Sequence, residues 1–468
     1  MYKKLLTHTL IYGLSPYIPK LLGIFILPII TKDLTEVDYG IYGVILAYVA
    51  AIEVFKDLGL NLILYNSFTK MPYQHKWLWR SIYGFLIFWN FLYTILAGLL
   101  LYITIPAEAH ENSWLIVVLN LLPIITFGPT SQIGKIFFQM NEMPRQIAIR
   151  TIIFGILTLI LNLYTISFLK LGYMGWFWTN CIVGILTNLS FWIPINLKYK
   201  ITPIFNFKKR LIKENLKVTL PTIPHYYSNY IINTSDKVIL DLMNVDSTSI
   251  GKYNFAGTFA SYFNQLGLAI GQAARPFFNT FFKSNNFSKL REMIFTIQIL
   301  FFSITFTVSI WLKEIFSLLV KNEALSSTYS IAILLIMATN YRPMYLASTG
   351  LILYNENTKK LLHVTMIASI ISILLNIILI PKYKIMGAVI TSFVSLMYMG
   401  YSAFFFKEFK KITIKFYPVF WLICTIILTI TAYFISEISI IYKSIITIFV
   451  CIIGFLMLRK FIKYKTHE

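Results

Sequence analysis

The chain has 468 residues, of which 57% are hydrophobic and only 13% charged, yet its formal net charge is +22. Its mean hydropathy is +0.70, and a soluble domain normally carries about 25% charged residues, so a soluble globular or nucleic-acid-binding protein is excluded. The apolar runs are unbroken rather than alternating, which excludes a β-barrel and leaves a polytopic helical bundle.

A spanning helix needs roughly 20 mainly apolar residues, and about fourteen segments qualify. The first covers residues 10–30. No small-residue cleavage site follows it, so it is expected to remain as a helix. It carries PYIPK, residues 16–20. The second, 39–64, contains EVFKDLGL, residues 53–60, which places Glu53, Lys56 and Asp57 within one helical turn. Spans 82–103, 114–138, 147–169 and 173–195 follow. The seventh, 218–240, is unusually polar, with PTIPH at 221–225 and an Asp236-Lys237 pair. The rest are 250–277, 294–311, 329–353, 361–380, 385–406, 416–435 and 438–458, the last interrupted by Lys443. Cys181, Cys424 and Cys451 sit inside apolar runs at no metal-ligand spacing and are expected to be buried packing residues.

Alternate loops differ sharply in Lys and Arg. One set holds Lys3 and Lys4, Lys70, Lys76 and Arg80, the cluster from Lys198 to Lys217, Lys283, Lys289 and Arg291, Lys359 and Lys360, Lys407, Lys410 and Lys411, and Arg459 to Lys465. The loop around residues 106–112 has none. The positive-inside rule therefore places both termini in the cytoplasm. The longest connector, KYKITPIFNFKKRLIKEN from Lys198, mixes apolar and basic residues. It reads as an amphipathic segment on the cytoplasmic leaflet, or as a solvated linker.

The chain also repeats itself. PYIPK recurs as PTIPH, Gly40-Ile-Tyr42 as Gly251-Lys-Tyr253, and KDLGL at 56–60 as NQLGL at 264–268. Pro129, Asn141, Glu142 and Asn162 find the same residue types 214 positions later, at Pro343, Asn355, Glu356 and Asn376. Two six-helix lobes of one orientation are expected, 1–197 and 218–410, joined by the linker 198–217 and followed by a helix pair, 411–468. Parallel repeats about an axis along the membrane normal are a common transporter plan, with the substrate site between the halves.

These features carry a resemblance. Two six-helix lobes, a polar first helix in each, GIY after the first loop, and LP…SDKVIL…GKY opening the second lobe resemble a polysaccharide flippase. That family belongs to the multidrug/oligosaccharidyl-lipid/polysaccharide exporter superfamily. The resemblance covers essentially the whole chain. It implies a multi-pass protein of the bacterial cytoplasmic membrane that moves an undecaprenyl-pyrophosphate-linked oligosaccharide to the outer leaflet for O-antigen or capsule assembly. It also implies membrane lipids, a polysaccharide polymerase and a chain-length regulator as surroundings and partners, and no enzyme activity.

Ionisable groups at membrane depth mark a transport path by default. Lys20 and His225 follow the two PxxP elements at matching positions, and a double proline is expected to bend each helix and free carbonyls toward a wet cavity. Snorkelling for Lys20 and a neutral packing role for His225 stand beside that reading. Glu53 is placed to pair with Lys56 and to lie over Asp57. A carboxylate pair there is able to take H⁺ or Na⁺ as coupling ion, and no other cofactor is expected; the alternative is a self-neutralising structural cluster.

Arg342, read as mid-helix beside Pro343, offers a planar fork suited to a pyrophosphate, or an internal ion pair. Lys135 and Arg275 lie toward the cytoplasmic ends of their helices, as an entrance for an anionic lipid or simply as topology signals. The resemblance gives Asp236 and Lys237 a role in gating or ion steering; a structural salt bridge fits them equally.

Two other functions compete. A multidrug or lipid II exporter of the same superfamily shares the fold, although a cation-drug exporter favours an acidic cavity. A membrane glycan polymerase or acyltransferase needs catalytic side chains on a large outer loop or a His-rich site. The six histidines here are scattered, and no Walker motif or metal constellation appears.

Overall fold

In a computed structural model the chain is described over residues 15–354, 357–410 and 414–466. Lys3, Lys4, the expected span start at Leu10, the repeat members Asn355 and Glu356, and Lys411 lie outside the described residues. All regular structure among the described residues is helical. The chain divides into two compact units, Met1–Tyr230 and Ile231–Glu468.

The first unit contains α1 (Tyr17–Asp33), α2 (Glu36–Glu53), α3 (Asn61–Lys70), α4 (His75–Thr104), α5 (Ser113–Ile125), α6 (Gly128–Met140), α7 (Pro144–Asn162), α8 (Met174–Trp192) and α9 (Lys209–Thr219). A 3₁₀ turn, Leu220–Thr222, leads into α10 (Ile223–Leu242), within which the units divide. The second unit continues with α11 (Ser247–Lys283), α12 (Phe287–Ile310), α13 (Leu312–Leu319), α14 (Glu323–Ser326), α15 (Tyr329–Ala338), α16 (Arg342–Tyr354), α17 (Thr358–Tyr383) and α18 (Ile385–Tyr401). It ends with α19 (Lys407–Lys410), α20 (Pro418–Ile435) and α21 (Ile440–Thr466).

Among the described residues, nine helices are long and apolar enough to cross a membrane, or ten if the bent pair α5–α6 counts as one span. The expected spans outside that set fall on α1, the α2–α3 pair, α10 and α11. Each is short, broken or polar.

The repeat is visible in how helices begin and break. Thr35 caps α2, its side chain accepting from the Asp38 amide at 3.3 Å while its own amide donates to the Asp38 carboxylate at 2.8 Å. Asp246 caps α11 through its side chain, which accepts from the Ser249 amide at 2.8 Å. α5 and α6 meet at a 45° bend beside Phe127, whose φ is 60°. α15 and α16 meet through a 3₁₀ turn at Thr339–Tyr341. Pro129 and Pro343 are each the second residue of the resumed helix, where a missing amide proton costs nothing. Gly175 and Gly387 match as well. A Cβ on either would come within 2.6 Å, of Ile166 and of the Leu379 carbonyl respectively.

Several expectations are corrected. The PxxP elements open helices rather than bending them: Pro16 is the N-cap residue of α1, Pro19 lies in its first turn, and Pro224 is the second residue of α10. The second span is not one helix; it stops at Glu53 and resumes at Asn61, with Leu58 at φ 50° and Gly59 at φ 71° between. Arg342 is not mid-helix but the first residue after the break. Only Cys181 is buried, while Cys424 is half-buried and Cys451 exposed on the surface of an apolar helix.

Lys443 does not end a span. It is fully buried and donates to Glu314 Oε1 at 2.5 Å and to the Ser436 carbonyl at 2.7 Å. Nearby, Lys313 pairs with Glu437 at 2.5 Å, and Tyr329 donates to the same carboxylate. These bonds fasten the α20–α21 turn to α13 and α15.

Candidate transport site

A polar cavity in the second unit gathers α10, α11, the α15–α16 break and α18. Asp236 on α10 is buried and accepts from the Tyr253 hydroxyl on α11, which lies 3.3 Å from the Ser392 hydroxyl on α18. Lys237 faces the same cavity but makes no ion pair among the described residues. Its neighbour's carboxylate turns to tyrosine instead. The cavity holds about 350 Å³ and runs on past Asn254 and Thr258 to Asn264.

At that end Arg342 donates Nη2 to the Asn264 side-chain oxygen, with its guanidinium 5.1 Å from the Tyr341 ring centroid. Its Nε is buried and unpartnered. No ion pair neutralises Arg342 among the described residues. The break that presents it is held from behind: Gln298 donates to the Asn340 carbonyl at 3.0 Å, and Thr305 to the Asn340 side chain at 3.0 Å. A buried guanidinium with donors to spare can hold a phosphate oxygen. A buried carboxylate bonded to a tyrosine hydroxyl can take a proton or a small cation.

The first unit keeps its charged cluster at the α2–α3 break. Lys56 pairs with Glu53 at 3.1 Å. Glu53 does not lie over Asp57, because the helix has ended. Asp57 accepts instead from the Gly59 amide at 3.1 Å, from Asn61, and from Gln132 on α6 at 2.7 Å. Lys135, one turn beyond Gln132, is exposed. In both units the LGL segment is thus tied to the broken fourth span, through Asp57–Gln132 and through Asn264–Arg342.

Lys20 is half-buried without an acid partner among the described residues. His225 is half-buried beside Tyr226, ring centroids 6.0 Å apart. Arg275 is exposed at the basic end of α11, where it lines a cavity of about 570 Å³ with Asn279, Lys283 and Tyr354.

Several polar residues of these sites had no site role in the sequence. Gln132, Gln298, Asn340 and Tyr253 complete the two clusters. Arg150 bonds the Ser190 carbonyl at 3.0 Å and lies 4.9 Å from the Phe191 ring centroid. Asn376, Thr391 and Ser395 are buried with unpartnered side-chain atoms on the packed pair α17–α18. The available signal was a single polar residue inside an apolar run, as in TIQIL or LLNII.

Residues 5–282 match the family described as "Polysaccharide biosynthesis protein". The chain belongs to that family. Among solved structures, this polysaccharide biosynthesis protein is similar to "Lipid II flippase MurJ, inward closed conformation", with a TM-score of 0.67 at 17% identity, over 93% of this chain and 99% of that one. It is also similar to an inward-facing multidrug resistance MATE family transporter of the MOP superfamily, with a TM-score of 0.63 at 12% identity, over 90% and 96%. At such identities the likeness is one of fold. Among curated protein sequences nothing matches. The family and the apolar helices among the described residues make this a multi-pass membrane protein, with a fold shared with those flippase and transporter structures.

Proposed function

We propose that this family member is a flippase for an undecaprenyl-pyrophosphate-linked oligosaccharide in the bacterial cytoplasmic membrane, working by alternating access in O-antigen or capsule assembly. The observation that carries the reading is Arg342. It is buried, presented at a helix break, unpaired by any acid among the described residues, and left with a free donor. An ordinary structural arginine would have been neutralised, whereas a diphosphate carrier supplies the missing anion.

Lys20, Lys135, His225 and Arg275 are proposed as further cationic contacts for the carrier, with Arg275 and Lys283 at its point of entry. Coupling to H⁺ or Na⁺ falls to Asp236, with Lys237 beside it, because Glu53 and Asp57 are already engaged by Lys56 and by amides. A polymerase and a chain-length regulator would act on the delivered oligosaccharide.

The test is a deletion strain. Lipid-linked oligosaccharide should accumulate while surface glycan is lost, and the intact gene should reverse both. Unchanged glycan with altered drug sensitivity or arrested peptidoglycan synthesis would favour the multidrug or lipid II exporter.

A further inference from the structure

The connector between residues 199 and 209 is built into the first unit. Ile204 donates its amide to the Arg80 carbonyl at 2.9 Å, and Arg80 returns bonds to the Thr202 carbonyl at 2.9 Å and hydroxyl at 3.0 Å. Gly84 is bare beneath this segment, and a Cβ there would overlap the Ile204 carbonyl. α9 then starts at Lys209 and runs through the 3₁₀ turn directly into α10.

This anchoring leaves an apolar groove of about 460 Å³. Its floor is Phe85, Phe207, Ile212, Leu216 and Leu220, with the Phe85 and Phe207 rings 5.6 Å apart. Lys209, Lys213 and Lys217 border it. They are spaced i, i+4, i+8, so they form one row along the helix, spanning about 12 Å. All three are exposed, and none has an acid partner among the described residues. The acid of α9 is spent elsewhere, since Glu214 pairs with Arg210 at 2.9 Å.

An apolar channel beside an unneutralised row of lysines, next to a membrane helix, suits an amphiphile with an anionic head. We propose that this groove binds an anionic glycerophospholipid of the membrane, with an acyl chain along Phe85 and Phe207 and the head-group phosphate on the lysine row. The site belongs to the basic side of the first unit and does not depend on what the protein transports. A lysine row of this length matches the head-group layer of the bilayer better than a single diphosphate.

The experiment is native mass spectrometry of the delipidated full-length protein, titrated separately with phosphatidylglycerol, phosphatidylcholine and undecaprenyl phosphate. Wild type should retain phosphatidylglycerol over phosphatidylcholine. K209Q/K213Q/K217Q should weaken that binding by about tenfold or more, as loss of three surface cations implies. The charge-matched K359Q/K360Q/K407Q should change it by less than about twofold.

Equal retention of the two phospholipids by wild type would overturn the proposal without reference to any variant. So would unchanged binding in the lysine-row variant. Saturation by undecaprenyl phosphate that phosphatidylglycerol fails to displace would assign the groove to the carrier lipid instead and equally overturn it.

Discussion

Arg342 reaches Asn264 by laying its stem over Gly267. The guanidinium donates to the Asn264 side chain, and a Cβ on Gly267 would lie 2.6 Å from Arg342 Cγ. α11 runs unbroken beneath, so the bare glycine is what lets the arginine cross it.

Gly267→Ala should therefore displace the guanidinium. Overpacking of this kind costs about 1–3 kcal/mol. The expected result is a folded protein with a modestly lower unfolding temperature in detergent and a larger loss of transport. Full transport activity in Gly267→Ala would show that the position of Arg342 is immaterial.

Tyr253→Phe removes the only hydroxyl donated to buried Asp236 among the described residues. An unsatisfied buried acceptor costs about 1–3 kcal/mol. Adding Asp236→Asn to Tyr253→Phe should recover part of that loss, because an amide tolerates the site better than a carboxylate left with only the Lys237 backbone amide. Thermal unfolding of the two single variants and the double variant measures the coupling. Additive losses would mean that the two side chains do not interact.

Lys443→Met tests whether the terminal helix pair is fastened by its buried ammonium. Removing one partner of a buried ion pair costs about 3–5 kcal/mol when both are enclosed. The Glu314 side chain is 30% exposed, so a loss toward the lower end is expected. Glu314→Gln, which keeps an acceptor, should cost less. A Lys443→Met protein as stable as wild type would refute the fastening.

Glu437 lies in the turn between α20 and α21, where the bond from Lys313 holds its carboxyl below the usual range. A depressed carboxyl contributes stability above its unfolded pKa and loses it as pH falls through the folded one. Wild type minus Glu437→Gln stability should thus be constant near neutrality and shrink only at acid pH, below about 4.5. A difference that instead changes between about pH 6 and 8 would assign the effect to another group, histidine being the side chain that ordinarily titrates there.

Much of the fold was legible because the membrane restricts the choices. Apolar windows and the alternation of basic loops locate the helices, and the repeat of Pro129 in Pro343 marks two equivalent breaks. What was not legible depends on contacts remote in sequence. The LGL segment occurs in both units but breaks only the first helix. There Gly59 sits against Thr219 and Thr222 while Asp57 gathers amides, whereas Gly267 faces the Arg342 stem within a straight helix. Val54, Phe55, Leu58 and Leu60 keep local hydropathy high, so no window reveals the break.

Lys443 looked like an interruption because hydropathy assumes lipid around it; its acid partner stands 129 residues away. Likewise Arg342 could be singled out as a charge at membrane depth, but not its freedom from an acid partner.

The most direct measurement is transport itself, with purified protein in proteoliposomes carrying labelled undecaprenyl-pyrophosphate oligosaccharide and an imposed H⁺ or Na⁺ gradient. An impermeant lectin outside traps each molecule that crosses. Wild type should deplete the inner leaflet far faster than protein-free vesicles, and Arg342→Lys, which keeps the charge but loses the planar fork, should be strongly slowed. If wild type were no faster than protein-free vesicles under either gradient, or if Arg342→Lys matched wild type, the account would be contradicted.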